Sequence, residues 1–436
     1  MNRSRTLLYG KFLVLASLAA AGLLLAAAGG WAETPPAPAG GSAAQPAAST
    51  DWPQWMGPHS NDISTEIGWQ TDWTAHPPKV LWKKSVGTGF SIVSVVGNLP
   101  NRQAGRVYTT GNAEAKDTVF CLNADTGEEI WKFSYPCELG DRPGTRCTPV
   151  IDGPLLYTLS REGDLFCLDA AAGTKKWTVN VVRKFGADKP MWGFGTHPVV
   201  MGDKLILTVG PVLCLDKTSG ELIWKSGTDK GGYSSAAIFK YKDKTLISTM
   251  VEDGLLVVDA ADGKEVARFP WPTTPYRVHV VTPMIDSNRL FFSSGYGMGG
   301  ALVELGDDGL KEIWRTKNMK NHAANSVLYK GYLYGFDGDV DVGVLACVDF
   351  KTGEKKWAQA DIKAGSLMIA DGKLVVMSSK GDLVLAEAKP ESYKELGRLH
   401  VLDGGSKCWT MPVLSGGRVF CRNQAGDLVC LSVRSQ

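Results

Sequence analysis

The stretch FCLDAAAGTKKW, Phe166 to Trp177, decides the fold of this chain. A short apolar run leads into Asp169, Gly173 follows four positions later, and Trp177 four beyond that. The same order returns as FCLNADTGEEIW (Phe120 to Trp131), LCLDKTSGELIW (Leu213 to Trp224), LVVDAADGKEVA (Leu256 to Ala267) and ACVDFKTGEKKW (Ala346 to Trp357). Three further copies are degraded. LVELGDDGLKEIW (Leu302 to Trp314) carries an insertion, LAEAKPESYKEL (Leu385 to Leu396) has lost Gly and Trp, and VCLSV (Val429 to Val433) runs into the C-terminus. Aligned on the acidic position, the copies stand at Asn123, Asp169, Asp216, Asp259, Glu304, Asp349, Glu387 and Ser432, in steps of 46, 47, 43, 45, 45, 38 and 45. A period near 45 is propeller-blade spacing.

Working outward from Phe166, one unit reads as four short strands. Thr148 to Ile151 precedes a turn at Asp152-Gly153-Pro154, Leu155 to Ser160 alternates, Asp164 to Asp169 forms the third run, and Lys176 to Val179 the fourth. Tight turns between alternating runs make hairpins, and the 50 Gly suit a chain built from them. The mature chain shows no sustained 3.6-residue period, so the expectation is an all-β, eight-bladed propeller of four-stranded antiparallel blades. The last blade, Thr410 to Val433, lacks a fourth strand, whereas Val80 to Lys83 is a strand without a blade, with Trp82 standing 49 residues before Trp131. Residues 80–84 are therefore expected to complete blade 8 and close the ring, which removes its exposed edges.

The recurring Asp, Thr or Ser, Gly and Trp resemble the tryptophan-docking repeat of the pyrroloquinoline quinone (PQQ) family of eight-bladed propellers. The leader Asp51-Trp52-Pro53-Gln54-Trp55-Met56-Gly57-Pro58 is similar to the W-x-x-W-x-G-P opening of PQQ-binding-like repeat proteins. The resemblance runs from Asp51 to the C-terminus and implies the fold. It leaves two functions open, because the repeat serves both quinoprotein dehydrogenases and the assembly scaffold BamB. It also implies that Trp82, Trp131, Trp177, Trp224, Trp314 and Trp357 are structural, filling the space between blades; their recurrence at one position argues against ligand stacking.

Arg3, Arg5 and Lys11 precede an apolar run from Phe12 to Ala28 and the small-residue site Gly30-Trp31-Ala32. Residues 1–32 read as a cleaved signal peptide, with an uncleaved anchor as the alternative, and residues 33–50, rich in Pro, Ala and Gly, as a disordered linker. Residues 51–79 then form a leader and 80–436 the propeller. The expected location is periplasmic or secreted. Cleavage leaves 44 Lys plus Arg against 45 Asp plus Glu, so nothing suggests nucleic acid, and a monomer is expected. Among nine cysteines, Cys121, Cys167, Cys214, Cys347 and Cys430 share one third-strand position and read as small buried hydrophobes. Cys137 and Cys147, ten residues apart, are the candidate disulfide; Cys408 and Cys421 are a weaker pair.

Chemistry-bearing motifs are sparse. Gly295 to Gly300 lies between strands rather than before a helix, which argues against phosphate binding, and Asp337-Gly338-Asp339-Val340-Asp341 starts like a calcium loop but misplaces its later ligands. The segments that precede each blade's first strand carry more. Ring closure would gather Arg146, Trp192, His197, Tyr233, Arg277, His279, His322 and Trp409 around one funnel mouth, a cationic, aromatic pocket for an anionic or carboxylate-bearing ligand. The competing reading is a solvated channel rim. The resemblance brings PQQ with Ca²⁺ into view as a cofactor, yet no calcium-ligating or base motif of the dehydrogenases can be matched, so no catalytic residue is carried over. A BamB-like binding or scaffolding module, with a protein partner in the envelope or an anionic small molecule, is the first expectation; a minimal PQQ-dependent alcohol dehydrogenase is the second.

Overall fold

The computed structural model describes residues 50–97, 105–272, 279–403 and 407–435. The expected signal peptide, nearly all of the linker, and Arg277 lie outside them.

Eight sheets follow one another along the described chain, antiparallel throughout except for one parallel strand added to the seventh. Blade 2 shows the pattern, with Val150–Asp152 innermost, then Leu155–Leu159, Asp164–Asp169 and Lys175–Asn180 at the outer edge. The ring closes as the sequence suggests: Lys79–Ser85 pairs antiparallel with Asp427–Ser432, and Trp82 stands opposite Cys430. Among the described residues one helix, Val181–Phe185, interrupts the all-β pattern after blade 2, capped by Asn180.

The motif explains how blades join. Asp216 Oδ1 accepts the backbone N–H groups of Thr218 and Ser219 at 2.9 and 2.8 Å, which folds the turn that brings Gly220 to φ +73°. The Trp177 indole of the preceding blade then lies on that glycine; a Cβ there would sit 2.8 Å from the ring. Trp177 Nε1 donates to Lys217 O at 3.3 Å in the same turn. Trp82, Trp131, Trp314 and Trp357 likewise donate to a carbonyl of the next blade, at 2.9 to 3.2 Å. Trp224 covers Gly263 in the same way, but its Nε1 has no partner.

Where the motif has decayed, other tryptophans are buried nearby. The docking position in blade 7 is Gly397, opposite Leu385, and Trp73 of the leader packs over it. In blade 4 it is Ala267, and Trp271, 2 % exposed, packs edge-on against Phe292 of blade 5.

Cys137 and Cys147 are both free thiols, which corrects the disulfide expectation. Cys137 belongs to the apolar cluster between blades 1 and 2, whereas Cys147 belongs to the cluster between blades 2 and 3 and accepts the Leu159 N–H. Ten residues of separation bring the cysteines to different cores. Cys408 and Cys421 form no disulfide either.

Candidate functional site

Crossings from the outer strand of one blade to the innermost strand of the next run over one end of the ring, and they enclose a cavity of about 470 Å³. Two stacked ring pairs form its walls. Trp192 and Tyr233 have centroids 5.9 Å apart at 24°, and Phe90 and Trp409 have centroids 5.5 Å apart at 18°. The Trp192 N–H donates to Tyr233 Oη at 3.1 Å, which fixes the first pair. A cation covers each pair: the Arg142 guanidinium lies 5.7 Å from the Trp192 ring and Lys407 Nζ 4.4 Å from the Trp409 ring.

Arg146 is the third cation. Its Nη1 and Nη2 donate to Gly144 O and Arg142 O at 3.1 and 2.7 Å. Burial, helped by nearby Arg161, lowers its pKa to about 10, so it stays charged at neutral pH. None of the described residues lining the cavity is a carboxylate.

The histidines depart from expectation. His197 lines the cavity, but burial drives its pKa to about 3, with the Arg146 backbone opposing weakly. Its Nδ1 meets Ser235 Oγ at 3.1 Å, and its ring is neutral at neutral pH. His322 also lines the cavity; burial holds it below its ordinary value, and Asp339 at 3.2 Å opposes that. His279 stands behind the wall, fully buried, with Nδ1 3.0 Å from Ser294 Oγ and its carbonyl accepting the Tyr233 N–H. Burial lowers His279 to about 4. The positive charge of the funnel therefore comes from arginine and lysine, because burial in low-dielectric surroundings disfavours imidazolium.

Sequence reasoning missed the floor. The leader lies across the axial opening, with the Trp52 backbone pairing with Val95 of blade 1 and Pro53 O accepting the Ile151 N–H of blade 2. Farther on, Ile63–Ser64 runs parallel to Gly365–Ala370 of blade 7, and Ser64 Oγ reaches Leu414 O of blade 8. Between these anchorages Trp55 lines the cavity, stacked on His197 with centroids 4.6 Å apart and planes 3° apart. Arg142, Lys407, Phe90 and Tyr296 also line the cavity, beyond the candidates named from sequence.

The description "Outer membrane protein assembly factor BamB" belongs to a family model that matches residues 115–359 and, overlapping them, 195–436. The chain belongs to the BamB family. BamB of Yersinia pestis is 24 % identical over 321 residues, 70 % of this chain and 76 % of that protein. Tetrathionate hydrolase of Acidithiobacillus ferrooxidans is 21 % identical over 363 residues, 80 % of this chain and 62 % of that protein. Among solved structures, BamB from Moraxella catarrhalis superposes with TM-score 0.57 at 16 % identity, covering 82 % of this chain and 98 % of that one. Quinohemoprotein alcohol dehydrogenase from Comamonas testosteroni gives TM-score 0.64 at 12 % identity, covering 89 % and 81 %. At these identities the structural likeness is one of fold.

The funnel of this BamB-family propeller fits one half of a calcium–PQQ pair. Arg142, Arg146 and Lys407 suit carboxylates, and the ring pairs suit a flat ligand. Calcium needs six to eight oxygen ligands, and the described residues of the lining include no carboxylate. The aspartates of the calcium-like loop are spent elsewhere: Asp337 on Lys320 and Lys355, Asp339 on His322 and the Tyr296 N–H, and Asp341 on Trp409 Nε1. Burial would raise Asp337, but the two lysines outweigh it and hold it below the ordinary range. No cluster of three His, Cys, Asp or Glu suited to a metal occurs among the described residues.

Proposed function

We propose that this BamB-family propeller is an exported binding or scaffolding module of the cell envelope, and that it binds through the axial funnel. The observation that carries this reading is a cavity with three cations, six aromatic rings and, among the described residues that line it, no carboxylate. A low-dielectric concavity of one sign concentrates anions. The occupant is an anionic group, either a free small molecule or an acidic element of a partner protein.

The second reading, a minimal PQQ-dependent oxidoreductase, draws on the same cations and rings, but the donor set does not fit calcium, so no catalytic step is built on it. One experiment separates the two. The mature chain, residues 33–436, is dialysed against PQQ with and without Ca²⁺ and assayed for dye-linked alcohol oxidation. The binding-module reading expects no Ca²⁺-dependent turnover. It also expects an envelope ligand or partner that the wild type retains and the R142E/R146E/K407E variant releases. Saturable, Ca²⁺-dependent PQQ binding with dye-linked oxidation would install the second reading.

A further inference from the structure

The strand that closes the ring, Lys79–Ser85, leaves its outer edge bare. It pairs with Asp427–Ser432, and among the described residues no strand meets its other side. Val80 and Leu81 on it are nearly half exposed. Outer strands elsewhere neutralise their charges internally: Glu129 with Lys132 in blade 1, Glu265 with Arg268 in blade 4, Glu312 with Arg315 in blade 5. The closing strand has no carboxylate, and its lysines, Lys79, Lys83 and Lys84, make no ion pair among the described residues. Where this strand begins, a groove of about 500 Å³ opens between the leader turn Ala75 to Pro78 and the tail Ser432 to Ser435. The Gln70 N–H, donating to Val433 O at 2.7 Å, ties the two walls together. Leu81 and the two prolines make the groove partly apolar, Lys79 and Arg434 charge it, and no carboxylate side chain is among its described residues. The nearby Asp72 is engaged in the leader turn, accepting the Ala75 N–H at 3.0 Å. Ser85 leads into the crossing beside the funnel, so the groove stands at the opposite end of the blade.

We propose that this edge and groove dock an acidic, extended segment of a partner protein, which adds to blade 8 as a fifth strand. The site is separate from the funnel and does not depend on what the funnel binds. An edge strand presents a row of unpaired N–H and C=O groups, so main-chain hydrogen bonds supply the affinity and side chains the selection. Charge chooses the occupant. Carboxylates on the incoming strand meet Lys79, Lys83 and Lys84, and an apolar side chain at its end meets Leu81 and Pro78 in the groove. A second copy of this chain fits poorly, because pairing the edge with itself brings lysines together, and edge lysines are a common device against such pairing. The chain's own residues 33–50 fit poorly as well. They contain one carboxylate, Glu33, and four prolines, which cannot donate to a ladder.

The test uses the mature chain, a K79E/K83E/K84E variant and the R142E/R146E/K407E funnel variant. The probe is a capped heptapeptide alternating Glu and Val, labelled for fluorescence anisotropy. A second peptide of the same sequence is N-methylated at every internal amide, which keeps its charge and removes its ladder donors. Hydrogen exchange is followed across residues 79–85. The unmodified peptide should bind the wild type and the funnel variant alike, and should slow exchange in the closing strand. The lysine variant should weaken binding about tenfold, and N-methylation should weaken it by a similar factor. Because these lysines make no ion pair, the variant should melt with the wild type; if it does not fold, K83E alone carries the comparison. Equal affinity in the lysine variant overturns docking at this edge, as does failure of the wild type to bind the peptide. Equal binding of the N-methylated peptide, or unchanged exchange, overturns strand addition. Loss of binding in the funnel variant alone places the peptide in the funnel and overturns the site. Self-association that protects residues 79–85 without peptide would make the occupant a second copy, and overturns the proposal too.

Discussion

Asp216 and Gly220 show why single residues in the repeat are hard to exchange. The carboxylate is held at a pKa of about 2, first by the Thr218 hydroxyl and then by the backbone and side chain of Ser219, so it is ionised wherever the fold operates. The glycine both takes φ +73° and leaves room for Trp177, two demands that no other residue meets together. Those requirements are local, and so they are legible in sequence. Asp62 is different. It is 2 % exposed in the leader, and burial raises it to about 7, with Asn325 opposing. The fold therefore prefers its protonated form. Its contribution is complete below about pH 4, shrinks as pH rises, and is gone above about pH 7. The urea midpoint of the wild type should fall across that window, and D62N should flatten the slope; parallel profiles would show that Asp62 does not titrate with folding. Nothing in the sequence marks Asp62, whose partner Asn325 stands 263 residues away.

At the scale of elements, the orphan strand at residues 80–84 was legible because a blade without a fourth strand and a strand without a blade imply each other. Arg422 adds to that closure in a way no pattern shows. It is fully buried in the second strand of blade 8, and it donates to Ser91 O, Thr110 O and Gly87 O of blade 1 at 2.7 to 2.9 Å. Deleting Lys79 to Ser85 would bare the edge of Asp427–Ser432, strip Trp82 from Gly127 and loosen the Arg422 contacts together. The deletion variant should lose its cooperative thermal transition by circular dichroism. A melting temperature equal to that of the parent would refute closure by this strand. The replacements at decayed repeats were invisible in sequence for a related reason. Trp73 and Trp271 lie outside the motif's register, and only the packing of neighbouring blades places them against Gly397 and Phe292.

For the molecule as a whole, burial governs the thiols. Cys121, Cys167, Cys214, Cys347 and Cys430 are fully inaccessible, and burial pushes each to about 11 or 12. All nine cysteines are buried, and none is in a disulfide. The native protein should resist alkylation, and unfolding without reductant should expose nine reactive thiols by mass spectrometry. An uptake of seven would restore a bridge. Sequence by itself determined the architecture: the blade count, the strand content, the closing strand and the funnel as a meeting place of pre-strand segments. It could do so because a repeat imposes the same local geometry eight times, and the geometry sums to a ring. Only the tertiary structure decided what the funnel is. It put the leader across the axis with Trp55 as floor, removed His279 from the lining, and left the positive charge to Arg142, Arg146 and Lys407. Those outcomes turn on burial and on contacts between distant segments, which set desolvation and pKa and leave no periodic trace in the chain.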